Sequence, residues 1–255
     1  EGKKAKLHVA VDTGMSRIGF PCTESGADEV EKISRLSDVI LEGIFTHYAS
    51  ADETDRGFTE LQLSRFGEFI NLLESRGVDI PIKHTANSAA IMEYPETVFN
   101  MVRPGIITYG LYPSGEVDKN KLSLSPAMEL KTHVAYVKYI EENDTVSYGR
   151  TFCADKKMKI ATIPVGYADG YPRLLSNKGR VIINGEYAPI LGRICMDQFM
   201  VDVSHIEDIC EGDSVTLIGR DGGCCISAEE IAEYAQTINY EIICGIGKRV
   251  PRVFI

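Results

Sequence analysis

The chain has 255 residues, 44% hydrophobic and 25% charged, which suits one large domain or two modest ones with a buried core. Its 27 Lys and Arg stand against 37 Asp and Glu, a formal net charge of −10. That acidity argues against a general nucleic-acid or anionic-membrane binder, since both need a basic footprint. No stretch approaches the ~18 apolar residues of a membrane span.

The chain starts Glu1-Gly2-Lys3-Lys4-Ala5-Lys6, without Met, and runs straight into a strand-like stretch; this suggests a piece of a longer protein. Lys6–Asp12 reads as a strand. Ser25–Ser37 has helical spacing, with Ala27, Val30, Ile33 and Leu36 on one face. Val39–His47 is an apolar strand of the doubly buried kind. Thr59–Ser75 is an amphipathic helix with Leu61, Phe66, Phe69, Ile70 and Leu73 on its apolar side. Ile80–Thr85 is a short strand, Ser88–Met92 a short helix, and Phe99–Arg103 leads into a further strand. Such alternation means βα units on a parallel sheet. About 115 residues supply about four units, half of the roughly 250-residue (β/α)₈ barrel.

The pattern changes from about Leu122. Short strands are expected over Lys131–Ile140, Met158–Pro164, Arg180–Ile183, Glu186–Pro189, Phe199–Asp202 and Ser214–Ile218. Turn signals separate them: Asn143-Asp144, Asn184-Gly185, Gly212-Asp213 and Asp221-Gly222-Gly223. A helix over Ala228–Thr237 opens at Ser227, with Glu230 three residues on in capping-box register. The fold class is therefore α/β plus β: a half-barrel over 1–118, then a mostly antiparallel β domain over 119–255. The seven cysteines are odd in number, lack CxxC spacing and include the adjacent Cys224 and Cys225; reduced thiols in a cytosolic protein fit best, with no metal site.

Barrel active sites lie at the C-terminal ends of the strands. Those ends read Asp12-Thr13-Gly14-Met15-Ser16-Arg17, Thr46-His47-Tyr48, His84-Thr85-Ala86-Asn87-Ser88 and Arg103-Pro104-Gly105-Ile106. Each offers a polar or charged group. Any one alone is more often a structural residue or a turn; the four together point to a site. Ser88 and the backbone N–H groups of Gly105 and Ile106 suit a phosphate. His47 presents a ring that can stack on an aromatic cofactor, and Arg103 is a permanent cation. In the second half, Tyr148 sits in a Gly-bounded turn where it can act as an acid–base group or simply pack. Gly192–Gln198 exposes backbone around Met196.

The segments AVDTGMSRIGF, FTHYASAD, HTANSAA, MVRPGIITYGLYP, VSYGRTF, VGYADGYPR, LGRICMDQFMVD and GKRVPR, in that order, resemble the pyridoxal-phosphate-dependent alanine racemases. The resemblance spans the chain. It implies a barrel followed by a β domain, a homodimer with shared active sites, pyridoxal 5′-phosphate as cofactor, alanine as substrate, and a cytoplasmic isomerase supplying D-alanine for the cell wall. Position by position, Arg17 would bind the substrate carboxylate or the phenolic side of the cofactor. His47 would stack on the pyridine ring. Asn87, Ser88, Gly105 and Ile106 would hold the cofactor, Ser88 at its phosphate. Arg103 would donate to the pyridine nitrogen, and Tyr148 would take the α-proton of the L-enantiomer. Met196 would meet the substrate through its main chain, and His84 with Arg103 would tune Tyr148. Two other readings stay open: a serine racemase of the glycopeptide-resistance type, and a cofactor-binding homologue without catalysis.

Three positions depart from the family pattern. No lysine here matches the Schiff-base motif, so the chain by itself is expected to be inactive. Ala10 stands where many members carry a modified lysine that orients the residue at Arg17. Lys248 stands in the register of a tyrosine that reaches the phosphate.

Overall fold

The computed structural model describes residues 3–254. It divides into two compact units, Glu1–Ser125 and Pro126–Ile255.

The first unit is built on a parallel sheet in the order β2–β1–β3–β4. Its strands are β1 (Ala5–Asp12), β2 (Phe20–Pro21), β3 (Val39–Phe45) and β4 (Ile82–His84). Helices α1 (Glu24–Ser34) and α2 (Gly57–Ser75) cover one face. There Val9, Val11 and Ile44 pack against Val30, Phe66, Phe69 and Leu73. The short helix α3 (Ser88–Glu93) follows β4. Thr23 caps α1, its hydroxyl accepting from the N–H of Gly26; this is the Ser/Thr/Asn/Asp preference at a helix start.

Three sequence expectations shift. Leu36 lies beyond α1 and is 54% exposed, and Leu61 on α2 is 43% exposed, so neither joins the core. Phe99–Arg103 forms no strand. It runs beside β4, held by side-chain bonds instead of a ladder: Asn100 Oδ1 accepts from the N–H of Lys83 at 2.7 Å, and Asn100 Nδ2 donates to the carbonyl of Pro81 at 2.6 Å. Pro104, immediately downstream, has no N–H to continue a ladder. The pairing of β1 with β3 also shifts between Leu7 and His8, leaving Glu42 as an extra residue on β3. Leu41 and Ile44 therefore both reach the helix-covered core although three positions apart.

The second unit is an antiparallel sheet in the order β14–β13–β10–β11–β12–β9–β6, with β5 also on β13. Its strands are β5 (Leu130–His133), β6 (Tyr136–Ile140), β9 (Met158–Ile163), β10 (Arg180–Ile183), β11 (Glu186–Leu191), β12 (Phe199–Asp202), β13 (Ser214–Asp221) and β14 (Cys224–Ile226). A separate ribbon pairs β7 (Thr145–Val146) with β8 (Phe152–Cys153). The expected strand over Lys131–Ile140 breaks in two, because Val134 donates to Asp213 while Ala135 donates to Thr162. Asn184 and Gly185 both have positive φ, 52° and 78°, the mirror-image turn that suits a two-residue hairpin. Helix α4 (Ala228–Ala235) starts at Ser227, whose hydroxyl accepts from the N–H of Glu230 at 3.1 Å. The Glu230 carboxylate does not return to the cap. It accepts from Nε and Nη2 of Arg180 at 2.9 and 3.1 Å. A second helix, α5 (Asn239–Gly245), was not evident from the sequence pattern. All seven cysteines are free thiols, and no helix among the described residues is long and apolar enough to cross a membrane.

Candidate active site

In the first unit the site residues gather where the strands end. Arg103 is half-buried, and its guanidinium closes the ends of β3 and β4. Nη2 donates to the carbonyls of Thr46 at 2.7 Å and Thr85 at 3.1 Å. Nη1 donates to the carbonyl of His84 at 3.0 Å and to the ring Nδ1 of His84 at 2.7 Å. These bonds use Nη1 and Nη2 and leave Nε–H as a further donor. His84 is buried and stacks on Phe45 at 5.1 Å between ring centroids. Burial, with Arg103 and His8 close by, pulls its pKa down to about 4, so its ring is neutral at physiological pH.

Ser88 begins α3 and is buried. Its Oγ accepts from the N–H of Gly105 at 2.8 Å, which leaves the hydroxyl proton available to an anion. A Cβ at Gly105 would stand 3.4 Å from that oxygen, against the hydroxyl the anion would meet. Ile106 and Ile107 open a 3₁₀ helix over Ile106–Tyr109, so their N–H groups have no earlier carbonyl within it to bond. The free donors of this cradle are thus Ser88 O–H and the Ile106 and Ile107 N–H groups, while the N–H of Gly105 is taken by Ser88. Asn87 is the N-cap of α3: its Oδ1 accepts from the N–H of Ala90 at 3.0 Å, which sets the direction of Ser88 and leaves the amide nitrogen for other partners.

The turn after β1 is fixed by Asp12, whose Oδ1 accepts from the N–H groups of Gly14 and Ser16, both at 2.9 Å. Arg17 projects from this turn, exposed and without an ion pair or hydrogen bond among the described residues. Ala10 is half-buried and has no side chain that could orient it. His47 follows β3. Burial, then Arg17 and Arg103, lowers its pKa, so the ring is biased to the neutral form.

The second unit brings Tyr148 and Met196 to one open cleft of about 390 Å³, lined also by Ser147, Cys195, Asp197 and Gln198. Tyr148 is 71% exposed. Its turn is locked from behind: the Ser147 hydroxyl donates to the carbonyl of Arg193 at 2.5 Å, and a Cβ on Gly149 would touch the Arg193 guanidinium at 3.0 Å. The Met196 carbonyl accepts from the N–H of Ala168 at 3.0 Å, so the main-chain group left for a substrate is its N–H. Arg249 donates to Asp169 at 2.6 Å and to Asp197 at 2.5 Å, tying the two loops beside Met196. Lys248 next to it is exposed.

Two constellations thus exist, one in each unit. His47, His84, Asn87, Ser88, Arg103, Gly105 and Ile106 cluster at the ends of β3 and β4, with Arg17 on the turn after β1; Tyr148 and Met196 share the cleft of the second unit. A model of the alanine racemase N-terminal domain matches residues 1–113, and a model of the C-terminal domain matches residues 127–254. The chain belongs to the alanine racemase family. It is 54% identical to the alanine racemase of Clostridium perfringens (strain SM101 / Type A) over 253 residues, covering 99% of this chain and 66% of that protein. Its fold superposes on the alanine racemase of Clostridium difficile 630 with a TM-score of 0.94 at 45% identity, covering 98% of this chain and 64% of the other. It superposes on the alanine racemase of Bacillus anthracis with bound L-Ala-P at 0.93 and 42% identity, covering 99% and 65%. The chain therefore spans about two thirds of the length of these relatives.

Several residues that build this candidate site carried no motif signal. Gln62, fully buried on α2, donates to Thr13 Oγ1 and to the carbonyl of His47, both at 3.0 Å, and accepts from the N–H of Ala49. Thr13 and Thr46 share a hydroxyl bond of 2.7 Å. His8 lies behind His84, its Nδ1 2.8 Å from His84 Nε2. The sign available for Gln62 was a long polar side chain on the mainly apolar buried face of α2, which also carries Thr59.

Proposed function

We propose that this chain provides the cofactor cradle and one proton-transfer residue of an alanine racemase, which interconverts L- and D-alanine. We further infer that its parallel sheet is part of a (β/α)₈ barrel, and that the protein works as a cytoplasmic homodimer with shared sites, supplying D-alanine for peptidoglycan. The observation that carries the reading is Arg103. A donor-only cation is bonded to a neutral imidazole and to three carbonyls, and stands beside a hydroxyl cradle that suits a phosphate. This donor set fits pyridoxal 5′-phosphate. Ser88 O–H and the Ile106 and Ile107 N–H groups would take the phosphate, His47 would lie against the ring, and Arg103 would face the ring nitrogen.

When bound, the cofactor supplies an electron sink that acidifies the α-carbon of an amino acid. The residues of this chain control what that acidity does. An arginine keeps its protons, so Arg103 can donate to a ring nitrogen without protonating it. By withholding a proton from that nitrogen, Arg103 would favour prompt return of a proton to the α-carbon over transamination. Arg17, unpaired, is available to a substrate carboxylate, for which its fork of donors is suited. Racemisation removes a proton from one face and returns one to the other, so it needs a group on each face. Tyr148 serves one face; no lysine of this chain is assigned to the other.

The test is turnover by the protein expressed from its complete gene and saturated with pyridoxal 5′-phosphate, read by chiral chromatography. L-alanine should be converted to D-alanine faster than L-serine to D-serine. Preference for serine would move the assignment to a serine racemase. Cofactor binding without turnover of either would leave a binding homologue.

A further inference from the structure

We propose that His8 is a positioning residue for Arg103, acting through His84 in a one-way chain of hydrogen bonds whose last N–H faces Glu42. The direction follows from donor and acceptor chemistry. Arg103 Nη1 lies 2.7 Å from His84 Nδ1, and arginine can only donate. His84 Nδ1 must therefore accept. A neutral imidazole has one N–H, so the His84 proton sits on Nε2. That atom is 2.8 Å from His8 Nδ1, which must accept in turn. The His8 proton is left on its own Nε2, which faces Glu42 Oε2 at 3.5 Å. The other Glu42 oxygen is bonded to Lys6. The chain thus runs Arg103, His84, His8, Glu42, across β4, β1 and β3. Protonating His8 at Nδ1 would set two N–H groups against each other, so the chain tolerates one tautomer at each ring.

Two features of the backbone build this arrangement. The register shift between Leu7 and His8 makes Glu42 the extra residue and sets His8 opposite Gly43. Bulges re-aim side chains in this way and are uncommon between parallel strands. Gly43 itself is required by space: a Cβ there would fall 2.3 Å from His8 Nδ1 and 2.5 Å from Cε1. The His8 ring lies where the side chain of residue 43 would be. Phe45 packs on the other side, stacked on His84 and under the Arg103 guanidinium at 5.3 Å. His84 cannot tilt freely, and Arg103 meets an acceptor whose lone pair is fixed.

The consequence for a cofactor rests on the function proposed above; the tautomers do not. The direct test is ¹⁵N NMR of histidine-labelled protein at pH 7.5, with the five histidines assigned by single substitutions. Both His8 and His84 should be neutral Nε2–H tautomers. An Nδ1–H or an imidazolium at either would overturn the chain. The second test compares His8→Asn, whose Oδ1 can accept from His84 Nε2–H, with His8→Leu, which cannot. Affinity for pyridoxal 5′-phosphate, measured by equilibrium dialysis, should fall about threefold or more in His8→Leu, the scale of one hydrogen bond. His8→Asn should stay within about twofold of wild type on that scale, and Gly43→Ala should behave like His8→Leu. Equal loss in the Asn and Leu variants, or no loss in either, would show that His8 only fills space. Failure of the wild type to bind the cofactor would count against the proposed function, and the NMR result would still decide the chain.

Discussion

Gln62 holds His47 by its backbone: the amide Nε2 donates to the His47 carbonyl at 3.0 Å while Oε1 accepts from the N–H of Ala49, two residues on. The same nitrogen reaches Thr13 Oγ1, so one side chain from α2 ties the loop after β1 to the loop after β3. Gln62 is fully buried, and a buried polar group stripped of its partner costs about 1–3 kcal/mol. Gln62→Leu keeps the volume and strands the Ala49 N–H and the His47 carbonyl. It should lower stability by about 2–4 kcal/mol on that scale, read from urea midpoints at unchanged m-value. It should also weaken cofactor binding, because the loop that carries His47 loses its anchor. Stability within ~0.5 kcal/mol of wild type, the range of an ordinary surface change, would show the amide to be dispensable.

The buried His84 makes a specific prediction about acid. Its folded pKa of about 4 lies below the usual 6.5, so the unfolded chain takes up this proton first as pH falls. The stability it contributes is fully present above about pH 6.5, is lost progressively from there down to about pH 4, and changes no further below. Over that window stability should drop with a slope of up to one proton per molecule. His84→Asn, in which Oδ1 can still accept from Arg103, removes the ionisation. Urea titrations at pH 7 and pH 4.5 should show a smaller acid loss in the variant than in the wild type. An identical loss in the two proteins would place the titration elsewhere.

Much of this was legible because it is periodic or punctuated. The apolar stripe of α2 and the Asn184-Gly185 hairpin announced themselves by spacing and by residue type. The strand ends pointed to the candidate site, since His, Ser and Arg have no packing reason to follow one another there. What escaped depends on partners far away in sequence. Phe99–Arg103 has the composition of a strand, but the Asn100 side chain takes over the bonds a ladder would make. Glu230 stands in capping-box register, yet Arg180, fifty residues away, offers it two donors and a charge, which outweigh one backbone N–H. His8 alternates with apolar residues like any surface position of a strand; only the bulge at Glu42 and the space at Gly43 give it a role.

Tyr148 carries a kinetic prediction. It is exposed, while Ser147 and Gly149 on either side are fixed against Arg193, so the phenol can be altered without disturbing a core. In the alanine racemase proposed above, assayed as in its turnover test, Tyr148→Phe should fold with the stability of the wild type and lower kcat for L-alanine by about 10²–10⁴-fold, the usual contribution of a placed acid–base group. KM should change little, because the ring remains. A loss confined to KM would make Tyr148 a binding residue, and unaltered kcat would remove it from proton transfer.

The loop beside Met196 can be tested with a matched pair of glycines. Gly170 and Gly212 have nearly the same φ, +97° and +95°, so alanine at either incurs the left-handed penalty of about 1–2 kcal/mol. They differ in surroundings. A Cβ at Gly212 meets nothing within 4 Å, whereas at Gly170 it would lie 2.0 Å from the carbonyl oxygen of Gly245. That contact is backbone against backbone, and the Gly247 N–H is bonded to Asp169 one residue away, so neither chain can step aside cheaply. Gly212→Ala should therefore cost about 1–2 kcal/mol from backbone strain alone. Gly170→Ala should cost about 3 kcal/mol or more, in the range of overpacked sites. It should also loosen the Arg249 bridge between Asp169 and Asp197, seen as faster amide exchange around Met196. Thermal melts of the two variants decide the matter: equal shifts in Tm would mean that the segment from Gly245 to Gly247 yields, and that the close approach at Gly170 holds no loop in place.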